Sequence, residues 1–129
     1  MSKSRVLWRV VLVSALFMVG FVSLAPPSGG AMFAGADKLE HCVTYAVLYV
    51  LAWLAFSGVV LRWSIHLALL GFGVALELLQ AQTGYRYMEA ADVLANTTGA
   101  GLGNLVLSFV YTGADKRFNS VAAVRGSVK

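Results

Sequence analysis

Four apolar runs, separated by short polar stretches, organise this chain. The first extends from Val6 to Ala25 (VLWRVVLVSALFMVGFVSLA) and stops at Pro26 and Pro27. A second covers about Leu39 to Ser57, a third about 60–82, and a fourth about Ala91 to Tyr111. A membrane-crossing helix needs about 20 mainly apolar residues to traverse roughly 30 Å of hydrocarbon. The pattern therefore predicts an all-α integral membrane protein: a bundle of four transmembrane helices over 1–111, followed by a flexible basic tail, 112–129. Trp8 and Arg9 read as interface anchors of the first run, and Tyr45, Tyr49, Trp53 and Phe56 recur along the second as packing and anchoring aromatics. Ser57 and Gly58 mark a tight turn, while TGYRYMEA from Thr83 to Ala90 is polar enough for a loop.

Composition agrees with that reading. Of 129 residues, 59% are hydrophobic and 12% charged, and the mean hydropathy is +0.76, beyond the range of a soluble domain of this length. A cleaved signal peptide is the rival for the first run, with Ala34, Gly35 and Ala36 as its small-residue site. The run is longer than a usual signal core and the site lies far beyond the prolines, so a retained helix is expected. Cys42 is the single cysteine, which excludes an intramolecular disulfide and fits a packing thiol.

The net charge of +4 reflects where the cations stand rather than a nucleic-acid partner. Lys3, Arg5 and Arg9 accompany the start of the first run, Arg62 lies between the second and third, and Lys116, Arg117, Arg125 and Lys129 follow the fourth. By the positive-inside rule both termini are expected in the cytoplasm. The other two connections hold Lys38 and Arg86 beside Asp37, Glu40, Glu89 and Asp92, and are expected to face outward.

Nearly all the side chains capable of chemistry fall at that outer end. Asp37 and Asp92 stand at the starts of two spans, where free backbone N–H groups carry partial positive charge. Either aspartate can serve simply as a helix cap. His41 and Asn96 follow one turn later on the same faces, with Tyr45 extending one stripe and Gly99 and Gly103 the other. Glu77 lies inside the third span, where a carboxylate costs on the order of 2.5–3.5 kcal/mol at the helix centre and less near the surface. Gln80 shares its side, and the pair reads either as ligand-binding or as a clasp between helices. Arg86 has the fork geometry that suits carboxylate and phosphate, and is expected to pair with Glu77, Glu89 or Asp92, or with an anion from outside.

Gly99 and Gly103 form a GxxxG spacing, extended upstream by Ala95, that lets a neighbouring helix approach closely. His66, one turn after Arg62, reads as an interfacial residue. There is no serine-nucleophile motif, no zinc-binding helix of His and Glu, and no phosphate loop. No cofactor and no metal are therefore expected.

Taken in order, DKLEHCVTY, ELLQ and RYMEAADVLANTTGAGLG resemble the VanZ-like family of small bacterial membrane proteins, from Asp37 to about Gly103. The matching positions are Asp37, Lys38, His41, Tyr45, Glu77, Gln80, Arg86, Asp92, Asn96, Gly99 and Gly103; Cys42 departs from the Phe expected after the His. The founding member is linked to resistance to glycopeptide antibiotics such as teicoplanin, so the resemblance implies a role at the cell envelope, in the bacterial inner (cytoplasmic) membrane. On this reading an outward-facing site binds or processes an anionic envelope component, a lipid headgroup or lipid-linked precursor. His41 is the proton-transfer candidate, oriented by Asp37 or Glu77, and Lys38 and Arg86 hold the anion. Asn96, Gln80, Tyr45 and Asp92 complete the binding positions. The alternative is an accessory partner of envelope machinery in which these residues form a structural network; a small transporter fits less well, since the polar groups gather at one side.

Overall fold

The computed structural model describes residues 3–26, 35–56 and 62–126, with side chains as far as Tyr111. Among the described residues there are four helices: α1 (Lys3–Leu24), α2 (Ala36–Phe56), α3 (Arg62–Gln80) and α4 (Ala90–Gly126). Each includes a stretch long and apolar enough to cross a membrane, which in α4 is Ala90–Tyr111. The expected turn at Ser57 and Gly58 and most of the connection before α2 lie outside the described residues.

The element boundaries differ from the hydropathy pattern where polar side chains find local partners. α2 opens at Ala36, taking Asp37, Lys38 and Glu40 into its first turns. α3 stops at Gln80, short of Gln82, because the Gln80 carbonyl accepts from the Thr83 amide at 3.0 Å and the Thr83 hydroxyl at 2.7 Å. Gly84, at φ 79°, then turns the chain through a conformation that side chains disfavour. Beyond Tyr111, α4 continues in helical backbone to Gly126, through the stretch expected as a tail. That stretch contains no proline to interrupt it.

α2 is the central helix, packed against α1, α3 and, most extensively, α4. α2 and α4 run parallel, and their glycine contact sets the spacing: a Cβ on Gly103 would lie 2.6 Å from the Ala46 carbonyl oxygen, and one on Gly99 would overlap the Cys42 carbonyl. The small-residue face of α4 is thus filled by α2 of the same chain. Leu48, Tyr49, Ala52 and Ala55 of α2, Ile65 and Leu69 of α3, and Ala100 and Leu107 of α4 form the core. From α1 only Leu12 is buried. Phe17 and Phe21 stand exposed, as expected for a helix whose outer surface meets lipid.

Candidate functional site

The starts of α2 and α4, the end of α3 and the segment 81–89 meet at one end of the bundle. Lys38, in the first turn of α2, occupies the middle. Its Nζ lies 2.8 Å from Asp37 Oδ2, 2.6 Å from Glu89 Oε2 and 2.5 Å from Asp92 Oδ1. An ammonium has three protons to donate, and here three carboxylates surround it. The partners are unequal: Asp37 and Glu89 side chains are more than half exposed, whereas Asp92 is 13% exposed. Asp37 is the second residue of α2 and Asp92 the third of α4, and both carboxylates turn to Lys38; that of Asp37 also meets backbone N–H groups of the first turn of α2.

One turn deeper, His41 Nδ1 lies 3.0 Å from Asn96 Oδ1. An amide oxygen can only accept, so Nδ1 donates to it and Nε2 is turned to the other side. On that side stands Asp92 Oδ2 at 3.9 Å, beyond hydrogen-bond reach. Glu77 completes the group, and ligand atoms of His41, Glu77 and Asp92 all lie within 4.8 Å of one another. Glu77 is 1% exposed, and its Oε2 accepts the Glu89 backbone N–H at 3.2 Å. Among the described residues no cation pairs with it.

Below this group, Tyr45 is 2% exposed and its hydroxyl has no hydrogen-bond partner. It occupies a notch left by Gly73, where an added Cβ would lie 2.9 Å from both Tyr45 Oη and Asn96 Nδ2. Gly73 is one turn before Glu77 on α3, so the tyrosine hydroxyl points into the same space between helices.

Two expected members stand apart. The Gln80 amide donates to the Ser23 carbonyl of α1 at 2.9 Å, so this residue fastens α1 to α3. The last carbonyls of a helix lack partners within it, which is why that bond forms. Arg86 pairs with none of Glu77, Glu89 or Asp92; its Nε is buried without a hydrogen-bond partner. Its neighbour Tyr85 donates to the Leu24 carbonyl at 2.6 Å. There an apolar groove of about 780 Å³ runs between α1 and α3, lined by Phe17, Gly20, Phe21, Leu24 and Phe72.

A second polar cluster, at the opposite end, escaped the sequence reading. Arg62 Nη1 donates to Asn104 Oδ1 at 3.2 Å and Ser108 Oγ at 2.7 Å, and its guanidinium lies 4.9 Å from the Trp53 ring centre. Tyr49 donates to the Arg62 carbonyl at 3.5 Å and packs 4.6 Å from the His66 ring. The spacing of Asn96, Ala100, Asn104 and Ser108 was the available signal: every fourth residue of α4 shares one face. Between the clusters the described core is apolar, built from Leu48, Ala52, Leu69 and Ala100.

In comparisons with known proteins, no family model, no curated protein and no solved structure matches this chain.

Proposed function

We propose that this chain is a multi-pass protein of the bacterial cytoplasmic membrane, similar to the VanZ-like family, whose polar end faces outward and binds an anionic envelope component. The ligand class is a phosphate-bearing lipid headgroup or lipid-linked precursor. Arg86 carries the reading. It is the cation at this end that no carboxylate neutralises among the described residues, with a buried Nε still to be satisfied. Lys38 is already committed to three acids, so its role is to hold the starts of α2 and α4 together beneath the ligand. The groove beside Tyr85 offers an apolar channel for the chain of a lipid whose headgroup meets Arg86.

One observation favours a purely structural reading: Lys38 binds Asp92 of α4, His41 binds Asn96, and Glu77 takes the Glu89 backbone N–H, so polar groups tie the helix ends together. That network then fixes the bundle and the protein serves as a partner of envelope machinery. The two readings separate at Arg86, which binds the ligand in the first and has no task in the second. A transport path finds no support in the apolar layer between the two polar clusters.

Orientation has its own test. In a Cys42→Ala background, a cysteine replacing Tyr87, which is 86% exposed, is expected to react with a membrane-impermeant maleimide added to intact cells. Labelling that appears only after the membrane is opened would place this end inside and overturn the reading.

A further inference from the structure

We propose that His41, Glu77 and Asp92 form a binding site for a divalent transition-metal ion, with Zn²⁺ and Mn²⁺ the ions best suited to one imidazole and two carboxylates. This revises the sequence-based expectation of no metal, and the reason is geometric: the three residues come from three different helices and form no local motif.

Four observations converge. The ligand atoms lie within 4.8 Å of one another, with His41 Nε2 and Asp92 Oδ2 3.9 Å apart. Zinc ligands at about 2.0–2.2 Å stand about 3.3–3.6 Å from each other in a tetrahedron, so only a small closure brings the set onto an ion. His41 is already oriented as a ligand, because Asn96 engages Nδ1 and leaves Nε2 facing carboxylates. A cation placed between Nε2 and the carboxylates meets a nitrogen and oxygens that all can ligate it, and a fixed second nitrogen is the usual support of a metal-bound imidazole. Glu77, 1% exposed and without an ion pair among the described residues, lacks a counter-charge that a metal supplies. Finally, the unpartnered Tyr45 hydroxyl, 2% exposed, points into the same space and can bond an oxygen held by the ion.

The neighbouring acidic group, Asp37 with Glu89 and Asp92, has comparable spacing but is served by the Lys38 ammonium. The metal site is therefore the inner group, with Asp92 shared between lysine and ion. Its coupling to a phosphate rests on the envelope-ligand reading above. A divalent ion reconciles an anionic ligand with an end where Asp37, Glu77, Glu89 and Asp92 face Lys38 and Arg86.

The test uses the full chain, purified in detergent, stripped with a chelator and titrated with Zn²⁺, with bound metal measured by elemental mass spectrometry. Co²⁺ serves as the spectroscopic probe. Stoichiometric Zn²⁺ and a ligand-field absorption with Co²⁺ are expected. His41→Gln and Glu77→Gln should each weaken binding by more than about tenfold, and Asn96→Ala by about 10–100-fold. Glu40→Gln, at an exposed acid outside the group, should bind as the native chain does. Failure of the native chain to take up stoichiometric Zn²⁺, or equal uptake by His41→Gln, would overturn the proposal; should Glu77→Gln not accumulate, His41→Gln decides alone. Zinc uptake without retention of anionic lipid would leave the metal site standing and remove the envelope ligand, and lipid retention without zinc would do the reverse.

Discussion

Alanine at Gly99 is expected to destabilise the bundle by at least about 1–3 kcal/mol, the cost of overpacking a filled interface. The new methyl group would overlap the Cys42 carbonyl, which is backbone and cannot rotate away. α4 would have to withdraw from α2, and the polar end would feel it directly. Gly99 lies one turn from Asn96, and Cys42 is adjacent to His41, so the 3.0 Å His41–Asn96 bond depends on the same close approach. Gly101 supplies the control within the same helix, since nothing lies within 4 Å of a Cβ placed there. Gly101→Ala should leave stability unchanged or raise it, because alanine favours helix over glycine by about 0.5–1 kcal/mol. Thermal unfolding in detergent compares the two variants, and coincident midpoints would contradict the packing described above.

Lys38→Met is expected to have the second large effect, about 1–3 kcal/mol of lost stability. Truncating one partner of a fully buried ion pair costs about 3–5 kcal/mol; the figure is lowered here because the Lys38 side chain is 29% exposed. Asp37 and Glu89 contribute little of it, being more than half exposed and screened by water and salt. Most of the loss comes from Asp92, 13% exposed and left facing Glu77 without its cation. Adding Asp92→Asn to Lys38→Met should therefore recover much of the stability. Adding Glu89→Gln instead should recover little. Equal rescue by both second changes would mean that burial does not decide which carboxylate needs the lysine.

Four helices of spanning length and the crowding of polar residues at one end were legible in the sequence, because hydropathy and the periodicity of 3.6 are local properties. Asp37, His41 and Tyr45 had to share a face of α2, as did Asp92, Asn96, Gly99 and Gly103 on α4. Partner choice between helices was not legible. Lys38 and Arg86 both had the charge to meet Glu89 and Asp92, and only the parallel, glycine-spaced packing of α2 on α4 delivers Lys38 to them. Gln80 looked equivalent to Glu77 on one helix face, yet the unpaired Ser23 carbonyl of α1 draws it aside. The cluster around Arg62 was missed for a different reason. Arg62 had a sufficient explanation as a topogenic charge, so the four-residue spacing that presents Asn104 and Ser108 to it went unused.

In the function proposed above, an outward-facing polar end binds an anionic envelope component through Arg86. Its most direct test is mass spectrometry of the lipids and lipid-linked precursors that co-purify with the full chain, compared between the native protein and an Arg86→Ala variant matched for accumulation and thermal stability. A phosphate-bearing species is expected to be enriched in the native preparation over bulk membrane lipid and lost from Arg86→Ala. The same lipid profile in both preparations, with no enrichment in either, would contradict it.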